Sequence, residues 1–392
     1  MITSNMYSVN DKAIYDALNQ NKVTNSDLVN LFLSRGVVIS RNSSREELAN
    51  MFSRMFHDFS DYDKLASIFS IASRREKNTF SYIEADKIEE RVVIDVLKEI
   101  NSHIFDIDQA EARFIKDGQI LRLSLEYKDV NFNKSEFRQV VDKDADIEIE
   151  KVLDEESGSF VYSIRHPLNK TCERVVDRVI ERINLSISDV NDHIIPQELS
   201  LTGYEDAEVR SNFFLELIKK IDKTELHDVT YVYVYQPKVE SDWMEDEDDE
   251  TSEDESDNMV GTKKLEGVHI SKAYLNGVGV AYSEELLSLQ KKGFYIWKVV
   301  WKVKEIGFDS DIYELEAQFS DPERFSKFSY MVRGEYRYLE SGKYSQNSIK
   351  CSSQDEKKFS KRIELAAKKI IRDIEETHNK QGDENETESS VD

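Results

Sequence analysis

The sequence predicts an α+β fold: a small amino-terminal helical domain, then a larger mixed domain with a mainly antiparallel sheet and flanking helices. Three observations predict it. Up to about residue 75 the apolar residues recur at helical spacing. Beyond about residue 80, runs with two-residue alternation appear, and Asp117-Gly118 joins two of them as a hairpin signal. The chain has 392 residues, more than one core usually serves, and 39% apolar with 10% aromatic residues argues against general disorder.

In the helical domain, residues 1–75, DKAIYDALNQ sets Ala13, Ile14, Ala17 and Leu18 on one stripe. SDLVNLFLSRG begins at a capping Ser26 and stops at Gly36. SSREELANMFSRMF takes Ser44 as cap, with Glu47 three residues later completing a capping box. Leu48, Met51, Phe52 and Met55 form its apolar face, and DYDKLASIFSIAS predicts one more short helix. ASRREKN, at 72–78, marks a boundary.

The second domain is expected over 80–378. KIEERVVIDVLKEINSHI reads as a helix, followed by the hairpin ARFIKD and QILRLSLEYKDV. Leu121, Leu123 and Leu125 alternate with Arg122, Ser124 and Glu126, as a half-buried strand requires. IEIEKVLDEESGSFVYSIRHP predicts another strand pair. TCERVVDRVIERINLSI and VRSNFFLELIKKI predict amphipathic helices, and DVTYVYVYQPK a strand with alternating Tyr231, Tyr233 and Tyr235. GVHISKAYLNG, GFYIWKVVWKVKEIG, IYELEAQF and FSKFSYMVRGEYRYLE are strand-like. A closing helix near 355–377 repeats Phe359, Ile363, Ala366, Ala367, Ile370 and Ile374. No internal repeat stands out.

The formal charge of −25 is unevenly spread. Residues 240–258 hold 12 acids and no Lys or Arg, so a disordered acidic insertion is expected over 240–260, with Trp243 and Met244 near its start. A second acidic, disordered tail is expected over 379–392. Residues 1–75 balance nine basic against eight acidic side chains, which leaves room for a local basic face. Two cysteines, Cys172 and Cys351, make no disulfide framework or metal spacing. The start lacks a basic segment followed by an apolar core, and no run approaches the roughly 20 apolar residues of a membrane span. A cytoplasmic protein without membrane contact is expected.

Arg35-Gly36-Val37, Ser40, Arg45 and Leu48 stand in a pattern that resembles the SAP family of short DNA-binding helix–turn–helix modules. The resemblance covers residues 24–56 and departs from the family by about two extra residues at Arg41 to Ser44. It implies phosphate contact at the start of the second helix, where unpaired N–H groups and the dipole favour anions. Arg35, Arg41, Ser44, Arg45 and Arg54 are the expected contacts, giving salt-sensitive affinity with little sequence information. A helix pair that merely turns a corner in a bundle has the same pattern.

A second basic face is carried by Lys298, Lys302 and Lys304, opposite Trp297, Val299, Trp301 and Val303, with Arg333, Arg337, Tyr336 and Tyr338 on the next strand. Aromatic and basic side chains so interleaved stack on bases, although lysines guarding a sheet edge look alike in sequence. Glu126-Tyr127-Lys128 closes a strand and resembles the Glu-x-Lys of restriction-endonuclease-like nucleases, in which a second acid, here Asp106, Asp108 or Asp117, helps hold Mg²⁺. Arg165-His166-Pro167, His227-Asp228 and Gly277-Val-Gly279 match no complete catalytic or phosphate-loop motif. The expected protein is a cofactor-free, DNA-binding accessory protein with a protein partner, suited to a bacterial defence or genome-maintenance system. The alternatives are the Mg²⁺-dependent nuclease and an interaction scaffold whose acidic insertion docks a basic partner.

Overall fold

The computed structural model describes residues 10–20, 23–40, 42–70, 76–86, 88–103, 110–134, 136–154, 158–187, 193–237, 271–277 and 279–388. The acidic insertion, Arg41, Asp106 and Asp108 fall outside them. The fold is α+β, as expected. The chain divides into two compact units, Met1–Gln197 and Glu198–Asp392, so a boundary falls inside the stretch read as one domain.

Four helices open the first unit: α1 (Asp11–Leu18), α2 (Asn25–Ser34), α3 (Arg45–Ser53) and α4 (Phe59–Ser70). Their core gathers Ile14, Leu18, Leu28, Phe32, Leu48, Phe52 and Leu65. It also takes Phe137, from a 3₁₀ turn (Glu136–Arg138), whose ring meets Tyr62 at 5.2 Å. That shared aromatic ties the head to the rest of its unit, where the sequence suggested a separate domain. Ser44 and Glu47 close the expected capping box on α3, but α2 is capped by Thr24 with Asp27 rather than by Ser26. Met51 faces solvent, at 55% exposure.

The remainder of the unit comprises β1 (Asn78–Glu84), α5 (Glu90–His103), β2 (Glu111–Asp117), β3 (Ile120–Val130), β4 (Val140–Leu153), β5 (Phe160–Pro167) and α6 (Lys170–Leu185). The strands lie in the order β2-β3-β4-β5-β1, each pairing antiparallel. Gly118 takes φ +60 in the β2–β3 turn, as the Asp-Gly signal demands. Leu121, Leu123, Leu125, Ile147 and Ile149 pack against Val93, Leu97, Val176 and Ile180 of the two helices. Alternation then sends Arg122, Ser124 and Glu126 to the opposite face.

A two-residue strand, β6 (Gln197–Glu198), stands at the boundary. The second unit contains α7 (Ala207–Leu217), β7 (Thr224–Tyr235), β8 (Lys272–Asn276), α8 (Glu284–Lys291), β9 (Tyr295–Glu305), β10 (Ile312–Asp321), β11 (Ser326–Tyr336), a small pair β12 (Tyr338–Leu339) and β13 (Lys343–Tyr344), and α9 (Ser353–Glu388). Its main strands lie in the order β8-β7-β9-β10-β11. Phe213 and Phe214 of α7 interlock with Phe319, Phe325 and Phe328 at centroid distances of 5.2 to 6.1 Å. From α9, Phe359 packs at a tilt on Tyr313 and Glu364 accepts a hydrogen bond from Tyr330. Helix α9 runs to Glu388, past the point where a disordered tail was expected. Gly334 is required in β11, because a Cβ there would lie 2.7 Å from the Ile349 carbonyl oxygen.

The two units follow one plan, although the sequence shows no repeat. Helix, four antiparallel strands and closing helix occur as α5-β2-β3-β4-β5-α6 and as α7-β7-β9-β10-β11-α9, with β8 and α8 inserted after β7 and the β12–β13 pair before α9. A polar detail recurs with the plan. Glu148 on the third strand, β4, is bonded by Arg122 of β3 at 3.1 Å and Arg165 of β5 at 3.0 Å. Glu316 on the third strand, β10, is bonded by Lys298 of β9 at 3.0 Å and Arg333 of β11 at 3.5 Å. Both carboxylates are buried. Removing either leaves two cations without their shared anion, so Glu148→Ala and Glu316→Ala should each cost about 1–3 kcal/mol, the upper range for buried pairs being reduced by the cations' exposure. Urea unfolding should show the loss in the unit that carries the substitution.

Candidate nucleic-acid interface

Among the described residues, which leave out Arg41, the head offers no cradle of cations at the start of α3. The Arg45 guanidinium donates to the carbonyls of Leu18, at 3.0 Å, and Gln20, tying the end of α1 to α3. Arg35 pairs with buried Asp61 at 3.0 Å. The start of α3 is capped from within: Ser44 N–H donates to Glu47 at 2.9 Å, and the Ser44 hydroxyl accepts from Glu47 N–H. Glu46 and Glu47 both stand in that first turn, which opposes a phosphate there. Arg54 is exposed at the other end of α3. Three of the expected phosphate ligands, Arg35, Ser44 and Arg45, are thus engaged inside the head, and Arg54 lies one helix length from Ser44.

Among the described residues the Glu-x-Lys strand gains no metal site. Glu126 is exposed and opposes Glu111 and Asp144, while Asp117 opposes Ile120 at the other end of the β2–β3 pair. Six strand positions separate the two acids, roughly 20 Å. Lys128 is bonded to Asp142 at 2.9 Å. Among the described residues no three carboxylate, imidazole or thiol groups converge on a metal position.

Other polar motifs are structural. His166 is buried, its Nδ1 lies 2.9 Å from the Pro167 carbonyl, and burial pushes its pKa down. Asp228 accepts from Gly279 N–H at 2.9 Å rather than from His227. Cys172 is fully buried beside capping Asn169, and burial pushes its thiol up to about 12, so it is no nucleophile.

The second basic face is different. Helices α7 and α9 cover one side of the second unit's strands. The other side carries Lys298, Lys302, Lys304, Glu314 and Glu316. Lys298 is in register with Tyr233 of β7, which in turn faces Tyr274 of β8. Tyr231 stands opposite Val300, and Lys302 and Lys304 oppose Asp228 and Glu225. The Tyr233 ring is central. It stacks with Tyr231 at 6.4 Å and with Tyr274 at 5.8 Å, the planes within 28° in each case. Lys298 Nζ lies 4.5 Å from its centroid. Burial, then the nearby Glu316 carboxylate, raises the Tyr233 pKa and keeps the phenol neutral.

Trp297 corrects the alternation read from the sequence. The register shifts between Tyr233 and Val234, and the irregularity brings the indole to Tyr233 at 6.1 Å, with Lys272 Nζ 5.9 Å from its centroid. Farther along, Lys302 Nζ sits 4.3 Å from the Tyr336 ring. Arg333 bonds Glu314 at 3.3 Å as well as Glu316. Arg337 turns away to Glu335, outside the group, and Tyr338 pairs with Tyr344. The face therefore combines five cations, the carboxylates Glu314 and Glu316, and a run of rings, of which Tyr274 is 61% exposed. The alternation of Tyr231 and Tyr233 was visible in sequence; Tyr274 and Lys272 were missed because β8 follows β7 only after the long acidic connection.

No family model matches the chain, and no curated protein matches it.

Arg45 and Arg54 separate the two roles a head arginine can have. Arg45→Ala should destabilise the head by about 1–3 kcal/mol, since two carbonyls lose a charged donor. It should speed amide exchange at the end of α1 and around α3. Arg54→Ala should leave both unchanged.

Proposed function

We propose that this protein binds single-stranded nucleic acid on the open aromatic and basic face of its second unit. The observation that carries the reading is the ring group Tyr231, Tyr233 and Tyr274 with Lys298 and Lys272 against it. Unpaired bases stack on such rings whatever their identity, and neighbouring ammonium groups meet the phosphates between them. A duplex hides its base faces and gains little from stacked tyrosines, so the single strand is the better ligand. The buried Glu316 fixes Lys298 and Arg333 in place, which lowers the ordering cost when a strand arrives. The reading retains a nucleic-acid contact for the chain and moves it from residues 24–56 to β7, β8 and β9.

Titration of a fluorescently labelled oligothymidine, read by anisotropy, tests this. The full chain should bind the single strand more tightly than a duplex of equal length, and affinity should fall as salt rises. Tyr233→Ala and Tyr274→Ala should each weaken binding roughly tenfold, by the usual loss of one stacked base. Tyr274 is exposed, so its variant keeps the fold intact. Absence of binding at low salt, or full affinity in both variants, would overturn the reading.

A further inference from the structure

The head carries a cavity of about 680 Å³ whose walls include Ile14, Met55, Tyr62, Leu65 and Phe137. That volume lies in the range of sites that take up a ligand or an anchoring side chain. Beside it, on the α3–α4 connection, Phe56 is 96% exposed, and Phe59, at the start of α4, is 65% exposed. Both rings line the cavity mouth together with Arg54, Asp11 and Asp58. A wholly exposed phenylalanine next to an apolar cavity is costly in an isolated chain.

We infer that this patch pairs two copies of the chain about a twofold axis, the Phe56 of each filling the head cavity of the other. A twofold contact uses the same patch twice, so the patch must hold both a projection and its complement. Here projection and cavity lie side by side. The lining meets the same condition in charge, because Arg54 shares it with Asp11 and Asp58, while its third carboxylate, Asp61, is already paired with Arg35. Rotation through the twofold sets Arg54 of one copy toward carboxylates of the other. No such complementarity exists at Phe132, another exposed phenylalanine of the first unit, which is 61% exposed and lines no part of the cavity. The pairing is independent of the nucleic-acid reading, since every group named here belongs to the first unit.

Sedimentation equilibrium of the full chain, from micromolar to sub-millimolar concentration, tests the inference. The wild-type chain should show a monomer–dimer equilibrium. Phe56→Glu should weaken it roughly 30-fold or more, as loss of a central aromatic anchor does. Arg54→Glu should weaken it less, while Phe132→Glu should leave it unchanged. Circular dichroism checks that Phe56→Glu still folds, and Phe56→Ser serves as a milder second variant. A chain that stays monomeric throughout overturns the inference, as does a dimer indifferent to both Phe56 variants. Removal of residues 2–9 should not alter the equilibrium. If removal strengthens it, the chain's own amino-terminal segment is the occupant and the inference is wrong. If a foreign peptide rather than a second copy fills the cavity, the chain will sediment as a monomer, which is the same contrary result.

Discussion

The architecture turns on a buried carboxylate on the third strand of each four-stranded set. Glu148 and Glu316 each sit between cations reaching in from the two neighbouring strands. Such a charge is tolerated only while both partners stay in register, because a buried anion without them pays a desolvation cost of several kcal/mol. A slip of one residue would send Glu316 to the side of Phe319, Tyr330 and α9. The clamp therefore specifies register as much as it adds stability. It also decides what the open face presents: two cations held upright, with their alkyl stems lying along the neighbouring side chains.

The same plan has two outcomes in the two units. On the first, the open face is an ion-pair lattice in which Arg122, Arg165 and Lys128 are matched by Glu148, Asp146 and Asp142. Its rings, Phe80 and Tyr82 of β1, lie buried opposite Arg165 and Ser163, and a flexible polyanion would meet carboxylates across β3 and β4. On the second, the residues beside the clamp are Tyr231, Tyr233, Tyr274 and Trp297. The difference between a sealed face and a receptive one is a handful of side chains on β7, β8 and β9, set on similar backbone scaffolds.

Much of the fold was legible because burial on one side leaves a periodic trace. Leu121, Leu123 and Leu125 name the inner face of β3, and Ser44 with Glu47 names the start of α3. Strand β1 was not legible: Phe80, Ser81, Tyr82 and Ile83 are buried in succession, so no alternation marks it. The internal plan was hidden as well, since Arg122 and Lys298, or Arg165 and Arg333, share a role without sharing a surrounding sequence. Arg45 misled for a related reason. A guanidinium that caps α1, as Arg45 does, and one that waits for a phosphate follow the same spacing; only the fold around Leu18 and Gln20 tells them apart. Trp297 required the strand irregularity opposite Tyr233, which no two-residue period anticipates.

Photocrosslinking of a 5-iodouracil-substituted single strand to the full chain, followed by peptide mapping, is the most direct measurement. Crosslinks should fall on Tyr231, Tyr233, Tyr274 or Trp297, the rings placed to stack on bases. Crosslinks confined to residues 24–56, or to the ion-paired face of the first unit, would contradict the account.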